Sequence, residues 1–265
     1  MYNDSTMTEQ NESVVPVASV VTNRSMAHLY TPIAIIVAGA LMAGGLFLGL
    51  SHNSGNAAPA GTQAAAASNA DITKVKIDGE PFIGQANAPV VMAFWSDFQC
   101  PYCKAFEVGG VAQIPTPAAL PDILKNYVDT GKLKIVFKEF PFLGNDSITA
   151  GEYEHAIWHL YPGQYFAWRT AMYKAQDAEG DQGFGNAVTI DKLITTSFPT
   201  MNDATIRADV AKNKTTYDAA MAADMQEGQG FGVQGTPGFI IGTTLIAGAE
   251  PLAAFTTAID AELKK

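Results

Sequence analysis

The sequence predicts an α/β domain with a helical insertion, preceded by a single transmembrane helix and a flexible linker. Three observations predict it. Two short apolar runs, VVMAFW at 90–95 and LKIVFKEF at 133–140, flank a stretch of helical spacing and so make a strand–helix–strand unit. An Ala-rich stretch over 145–227 reads as helical almost throughout. Two further apolar runs, GFII at 238–241 and TLIAG at 244–248, lie on either side of Gly242, which is a hairpin signal.

The elements follow in chain order. Residues 1–30 are polar and acidic, and read as a disordered cytoplasmic tail. Ile33–Leu50, IAIIVAGALMAGGLFLGL, is 18 residues without a charge or a strongly polar side chain. At about 1.5 Å per residue it is just long enough to cross a hydrocarbon core, and Tyr30 sits where an interfacial aromatic belongs. The predicted anchor spans 31–51. A cleaved leader is the rival reading, with Ala58-Pro59-Ala60 as its small-residue site. A leader begins with a short positive region, however, whereas this one begins long and acidic. Arg24 is the only Lys or Arg before residue 74, and its place ahead of the span directs the N-terminus to the cytoplasm. The chain beyond would then be extracytoplasmic. Residues 52–71 are mostly small and read as a tether with a reach of about 25 Å.

The domain itself is predicted over 72–265. Ala88-Pro89 precedes the first strand, and Asp97–Cys100 turn into a helix beginning CPYCKAFE, where Pro101 suits the first turn. Pro121–Val128 has helical spacing, and Asp129-Thr130-Gly131 announces the second strand. The helical block is broken by Pro162-Gly163 and by the loop DAEGDQGFG at 177–185. The last helix starts at Glu250-Pro251 and aligns Leu252, Phe255, Ile259 and Leu263 on one face. A strand–helix–strand unit implies parallel strands with a crossover, and the hairpin adds antiparallel ones.

Composition narrows the function. Nearly half of the 265 residues are hydrophobic, enough for a sizeable core, and the net charge is −10. So acidic a chain offers no basic stripe to follow phosphates, which argues against nucleic acid as a partner. The only cysteines are Cys100 and Cys103, so one bridge is the most that can form.

That pair has three readings. As a staple it would close a tiny loop, contributing only about 2 kcal/mol in the chain-entropy model, and a chain of this size needs no such help. As half of a zinc site it would be completed by His155 and His159, spaced i, i+4 in EYEHAIWHL. The long separation of the histidines from the cysteines is unlike a compact finger, and a helix surface or packed boundary accounts for them. As a redox pair it is well placed. Cys100 falls at a helix N-terminus, where free backbone N–H groups and the helix dipole favour an exposed thiolate. Cys103, one turn in on the same face, would resolve a mixed disulfide.

The distal sequence favours the redox reading. GVQGTPGFIIG at 232–242 sets Thr236-Pro237 immediately before an apolar strand, where a cis-proline would sit. FWSDFQCPYC, KEFPF at 138–142, GVQGTPGF and the intervening helical block together resemble the thioredoxin-fold thiol–disulfide oxidoreductases, in the membrane-anchored DsbA-like branch. The likeness covers roughly 72–265. It implies a thioredoxin fold with a helical insertion over about 145–227, Cys100 as nucleophile and Cys103 as resolving cysteine. It further implies that Pro101 and Tyr102 tune the redox poise and that Thr236 and cis-Pro237 receive an extended substrate backbone. No cofactor beyond the cysteine pair is implied. The partners would be unfolded or reduced extracytoplasmic proteins and a separate redox protein that recycles the pair.

One departure stands out. Many relatives carry an acidic residue six positions before the nucleophile, buried and able to handle the resolving thiol's proton; here that position is Phe94. Asp97, Lys138, Glu139 or water would have to take over. The expected activity is oxidation of thiols to disulfides at the outer face of the cell membrane. The alternatives are a disulfide reductase or isomerase, a peptide-holding chaperone-like domain, and a Cys/His metal module. Two other motifs carry little. Gly230-x-Gly232-x-x-Gly235 precedes a strand, whereas a dinucleotide fingerprint follows one. Asp177, Glu179 and Asp181 alternate like calcium ligands, but Gln182 stands where that loop needs glycine.

Overall fold

The runs at 90–95 and 133–140 become two adjacent interior strands of a five-stranded sheet, which is why both are buried on both faces. The computed structural model describes residues 69–177 and 183–265. The predicted anchor at 31–51, the tail before it, tether residues 52–68, and Glu179 and Asp181 of the acidic loop lie outside the described residues. Among the described residues, no helix is long and apolar enough to cross a membrane.

The strands are β1 (Phe82–Ile83), β2 (Val90–Ser96), β3 (Leu133–Glu139), β4 (Gly238–Ile241) and β5 (Thr244–Ala247). Their order is β1-β3-β2-β4-β5. β2 and β3 are parallel, with Phe94 opposite Phe137, while the other pairs are antiparallel. The crossover and the hairpin therefore run as the sequence predicts. β1 was not anticipated, because two residues carry no alternation to read.

The helices are α1 (Pro101–Glu107), α2 (Leu120–Ile123), α3 (Asn145–Leu160), α4 (Tyr165–Ala175), α5 (Ala187–Ser197), α6 (Asp203–Gly230) and α7 (Leu252–Glu262). The segment predicted at 121–128 is α2 continued by a wider π turn over Leu124–Val128. The insertion breaks where proline and glycine demand it, at the 3₁₀ turn Pro162–Gln164. It breaks again at 198–202, where the Asn202 side chain caps α6 by accepting from Thr205 N, and it runs on to Gly230 instead of ending at 227. The tether also ends earlier than predicted. Ala70 is buried, Asp71 caps a 3₁₀ turn at Ile72–Lys74, and Ile72 N donates to Gly242 O at 2.8 Å.

Two cores flank the sheet. On one side Phe94 stacks on Phe239 with centroids 4.6 Å apart, and Phe106 and Phe255 join them. As predicted, Phe255 and Ile259 carry the buried face of α7. On the other side Ala93, Trp95, Val233 and Ile240 form a second apolar cluster.

Candidate active site

The site grows from the end of β2. The strand's last residue, Ser96, is buried, and the chain then turns through Asp97, Phe98 and Gln99 into α1. The Asp97 carboxylate fixes this turn. It accepts from Gln99 N at 2.8 Å, Ser147 Oγ at 2.7 Å, Phe142 N at 2.9 Å and Leu143 N at 3.2 Å. The KEFPF segment is thereby tied to the cysteine loop. These four donors hold the carboxylate in place, while burial, the larger effect, raises its pKa above the ordinary value.

Cys100 is the N-cap of α1, with extended backbone, and Pro101 opens the first turn. Its Sγ lies 3.2 Å from the carbonyl oxygen of Thr236, to which it donates. Thr236-Pro237 is cis, as its place before a strand predicts. So two motifs 136 residues apart in the chain meet at one sulfur. Contrary to the expected exposed thiol, Cys100 is only 3 % exposed, because the Thr236 segment lies over it. Tyr102 is the exposed member of the pair's dipeptide, at 51 %. Beside Pro237 a shallow groove of about 370 Å³ runs along residues 232–238, with Leu245, Ala247 and Gly248 on its far wall.

The two thiols are unbridged and differ in environment. Cys103 is wholly buried, one helical turn in. The Cys100 thiol is held below its ordinary pKa, chiefly by the hydrogen bond from Cys103. Burial opposes this, while the Thr236 side-chain hydroxyl and the backbone N–H groups of Cys103 and Tyr102 assist it. Cys103 moves the other way: burial pushes its thiol well up, and the bond to Cys100 and the charge there add to the rise.

The insertion buttresses this turn through residues that the sequence did not single out. Gln176, just past α4, donates from Nε2 to Phe98 O at 2.6 Å and Cys100 O at 3.1 Å. Gln99 Nε2 donates to Phe184 O at 2.8 Å, and Lys104 Nζ to Gln176 O at 2.7 Å. Trp168 and Tyr173 pack on Phe98, so the aromatic stretch at 161–173 is both the insertion's core and its contact with the active-site loop. Local sequence gives no sign of these glutamines; only the turn's need for carbonyl partners points to them.

The other candidates for proton handling lie in a separate cluster. Lys138 is buried and paired with Glu80 at 2.8 Å, Glu227 at 3.2 Å and Asp224. Glu139 faces His155 Nε2 at 2.6 Å, and His155 stacks on Tyr217. His159 pairs with Asp209 at 3.0 Å. The two histidines thus engage carboxylates, at a packed boundary for His155 and on the helix surface for His159. Among the described residues, no group of three or more His, Cys, Asp or Glu is arranged to hold a metal ion.

A cysteine pair at a helix start facing a cis-proline on a mixed sheet defines a narrow class of fold. A family model described as Thioredoxin matches residues 76–261. The chain belongs to the thioredoxin family. Curated relatives include a probable disulfide bond formation protein D of Bacillus anthracis, 24 % identical over 69 % of this chain and 78 % of that protein. Disulfide bond formation protein D of Bacillus subtilis is 22 % identical, over 71 % and 79 %. Among solved structures, oxidised BdbD from Bacillus subtilis superposes with a TM-score of 0.63, at 22 % identity, over 76 % of this chain and 99 % of that one. The thiol–disulfide exchange protein α-DsbA2 from Wolbachia pipientis does so with 0.56, at 22 % identity, over 69 % and 86 %. The chain is a thiol–disulfide oxidoreductase of the DsbA-like kind, and its fold is the thioredoxin fold with a helical insertion.

Proposed function

We propose that Cys100 and Cys103 oxidise thiols to disulfides in secreted or periplasmic proteins. The observation that supports this best is the opposed setting of two thiols one turn apart, with the thiolate favoured at Cys100 and disfavoured at Cys103. A stabilised Cys100 thiolate stabilises the reduced pair, and that makes the disulfide the stronger oxidant.

The chemistry balances as follows. A substrate thiolate attacks Cys100 Sγ, the Cys100–Cys103 bond breaks, and Cys103 leaves with the electron pair and gains a proton. A second substrate thiolate then attacks the substrate sulfur of the mixed disulfide. This forms the substrate disulfide and releases Cys100 as its thiolate. Two electrons pass from the substrate dithiol to the pair. In the reverse sense, Cys103 is the resolving thiol.

Pro101 and Tyr102, between the cysteines, tune the poise of the couple. The extended segment at Thr236 and Pro237 receives a substrate backbone in the neighbouring groove, which suits many unfolded, reduced chains. No cofactor beyond the disulfide is required, and with no third cysteine in the sequence a separate redox partner must reoxidise the pair. Oxidising chemistry belongs outside the cytoplasm. We place the domain there, held to the cell membrane through Ile33–Leu50, on the strength of that segment's apolar sequence.

The test is the reduction potential of the purified chain, equilibrated in glutathione buffers. A value near about −120 mV supports disulfide donation; one near about −270 mV makes the domain a reductase or isomerase instead.

A further inference from the structure

The end of α4 reaches the backbone of the nucleophile itself. Gln176 leaves that helix with φ −53° and ψ 130° and is only 5 % exposed. Its single amide NH2 group serves two carbonyls, Phe98 O at 2.6 Å and Cys100 O at 3.1 Å. We propose that Gln176 is a positioning residue for the exchange reaction: it fixes the Cys100 sulfur against the start of α1 and so strengthens the pair as an oxidant. The proposal rests on the reading of Cys100 and Cys103 as a reversible couple.

The surroundings keep this amide in place. Lys104 Nζ, on α1, donates back to Gln176 O at 2.7 Å, so each segment holds the other. Phe98, whose carbonyl Gln176 grips, stacks on Tyr173 of α4 with ring centres 5.1 Å apart. α4 is itself pinned by Arg169, which has no exposure. The guanidinium donates to Glu107 Oε1 on α1 at 2.8 Å and to Glu154 Oε1 on α3 at 2.7 Å. It also donates to Ser96 Oγ, at the end of β2, at 2.7 Å. The amide is therefore presented to the cysteine turn by a helix that is anchored on three sides.

What the amide fixes matters more in one redox state than in the other. As the N-cap of α1, Cys100 has φ −76° and ψ 119°, which brings its sulfur to the first N–H groups of the helix. Those of Tyr102 and Cys103 favour the thiolate. Tying the carbonyls of residues 98 and 100 to one amide constrains the backbone between them, and with it the sulfur's place at these donors. It also gives the Cys100 carbonyl oxygen a donor, which eases its repulsion of a thiolate on the same residue. In the disulfide the sulfur carries no charge and gains little from either effect. Gln176 therefore stabilises the reduced pair more than the oxidised pair, and that raises the reduction potential.

The test is the reduction potential of the full chain in glutathione buffers, paired with a titration of the Cys100 thiolate by its ultraviolet absorbance. Gln176→Met keeps the bulk of the side chain and removes both donors. Its equilibrium with glutathione is expected to shift about tenfold toward the disulfide, the size of one hydrogen bond made in one state only. That corresponds to a potential lower by about 30 mV. The Cys100 thiol should give up its proton less readily by the same factor. Gly228→Ala, against Trp95 on the opposite face of the sheet, controls for lost stability and should shift neither quantity. A merely structural Gln176 would stabilise both redox states equally, so a Q176M equilibrium within about twofold of the wild type overturns the proposal. Should Q176M not fold, Q176N takes its place under the same limit, because its amide is one methylene short of the carbonyls. A wild type whose cysteines form no reversible couple overturns the reading of the pair and this proposal together. A reversible couple that the substitution leaves unmoved overturns Gln176 alone.

Discussion

The indole of Trp95 donates its N–H to the backbone carbonyl of Asp224 at 2.9 Å, joining the central strand β2 to the long insertion helix α6. Trp95 is fully buried, and α6 can approach it closely because Gly228, one turn further along, has no side chain. A Cβ at 228 would stand 2.8 Å from the indole nitrogen and 2.9 Å from Cδ1.

Gly228→Ala is therefore expected to destabilise the domain. Alanine gains about 1 kcal/mol of helix propensity over glycine, but overpacking a rigid buried ring costs about 1–3 kcal/mol. Overpacking should win, since the indole is hydrogen-bonded and cannot slide. Denaturant unfolding should show a lower midpoint with an unchanged slope. A midpoint at or above that of the wild type would mean that the helix–strand contact yields.

The cysteines should differ in how they fail. Cys100→Ser removes the attacked sulfur, so oxidation of a reduced substrate protein should fall to the uncatalysed rate. Cys103→Ser keeps that sulfur but removes its partner, so mixed disulfides at Cys100 should accumulate. Mass spectrometry of alkylated protein would reveal them. Equal trapping by both variants would contradict the assignment.

Much of this molecule was legible beforehand, for physical reasons that can be named. Interior strands are buried on both faces, which is how the unbroken apolar run at 90–95 and the shorter apolar core Ile135–Phe137 within 133–140 announced themselves. The cysteine turn and the cis-proline are local motifs, so their residues were visible even though their meeting at Thr236 O is not local. Glu107, Arg169 and Glu154 stayed hidden because their pairing spans 62 and 15 residues, and a lone charge on a helix ordinarily reads as solvated. The available signal was Arg169 set in the aromatic run YFAWRTAMY, where a solvated face would not be expected. Gln176 and Gln99 left no such signal, since what they satisfy is backbone belonging to other segments.

The buried Lys138 makes a different prediction. It holds Glu80, Asp224 and Glu227 together and also donates to Lys76 O at 3.0 Å. Lys138→Met would leave three carboxylates facing one another, at a cost of about 3–5 kcal/mol near neutral pH. Burial first, then the Asp224 charge, already raises Glu80 to about 6 against the pull of Lys138. Without the lysine the carboxyls should rise further. Because a raised carboxyl is relieved by protonation, the variant should recover stability as pH falls from 7 toward 5. A loss that stays constant over that range would show that the carboxylates are not the source.

His155 and Glu139 give the clearest dependence on pH. Burial alone would lower the His155 pKa, but the Glu139 carboxylate overrides it and raises it to about 9. Burial likewise raises Glu139, to about 8, against the pull of His155. Both shifts mean that the folded state binds protons more tightly than the unfolded chain. For His155, with an ordinary value of 6.5, the stabilisation is full below about 6.5 and lost as pH rises through about 9. The wild type should therefore lose stability between about pH 6.5 and 9.5. In His155→Gln the neutral amide cannot supply the charge. The variant should be less stable near pH 7 by about 1–3 kcal/mol, the cost of leaving a buried group poorly satisfied, with protonation of Glu139 limiting the loss. The gap between the two proteins should then narrow toward pH 9.5, where His155 itself is neutral. Chemical denaturation at four or five pH values would check this, and a gap that widens with pH would reverse the sign of the argument.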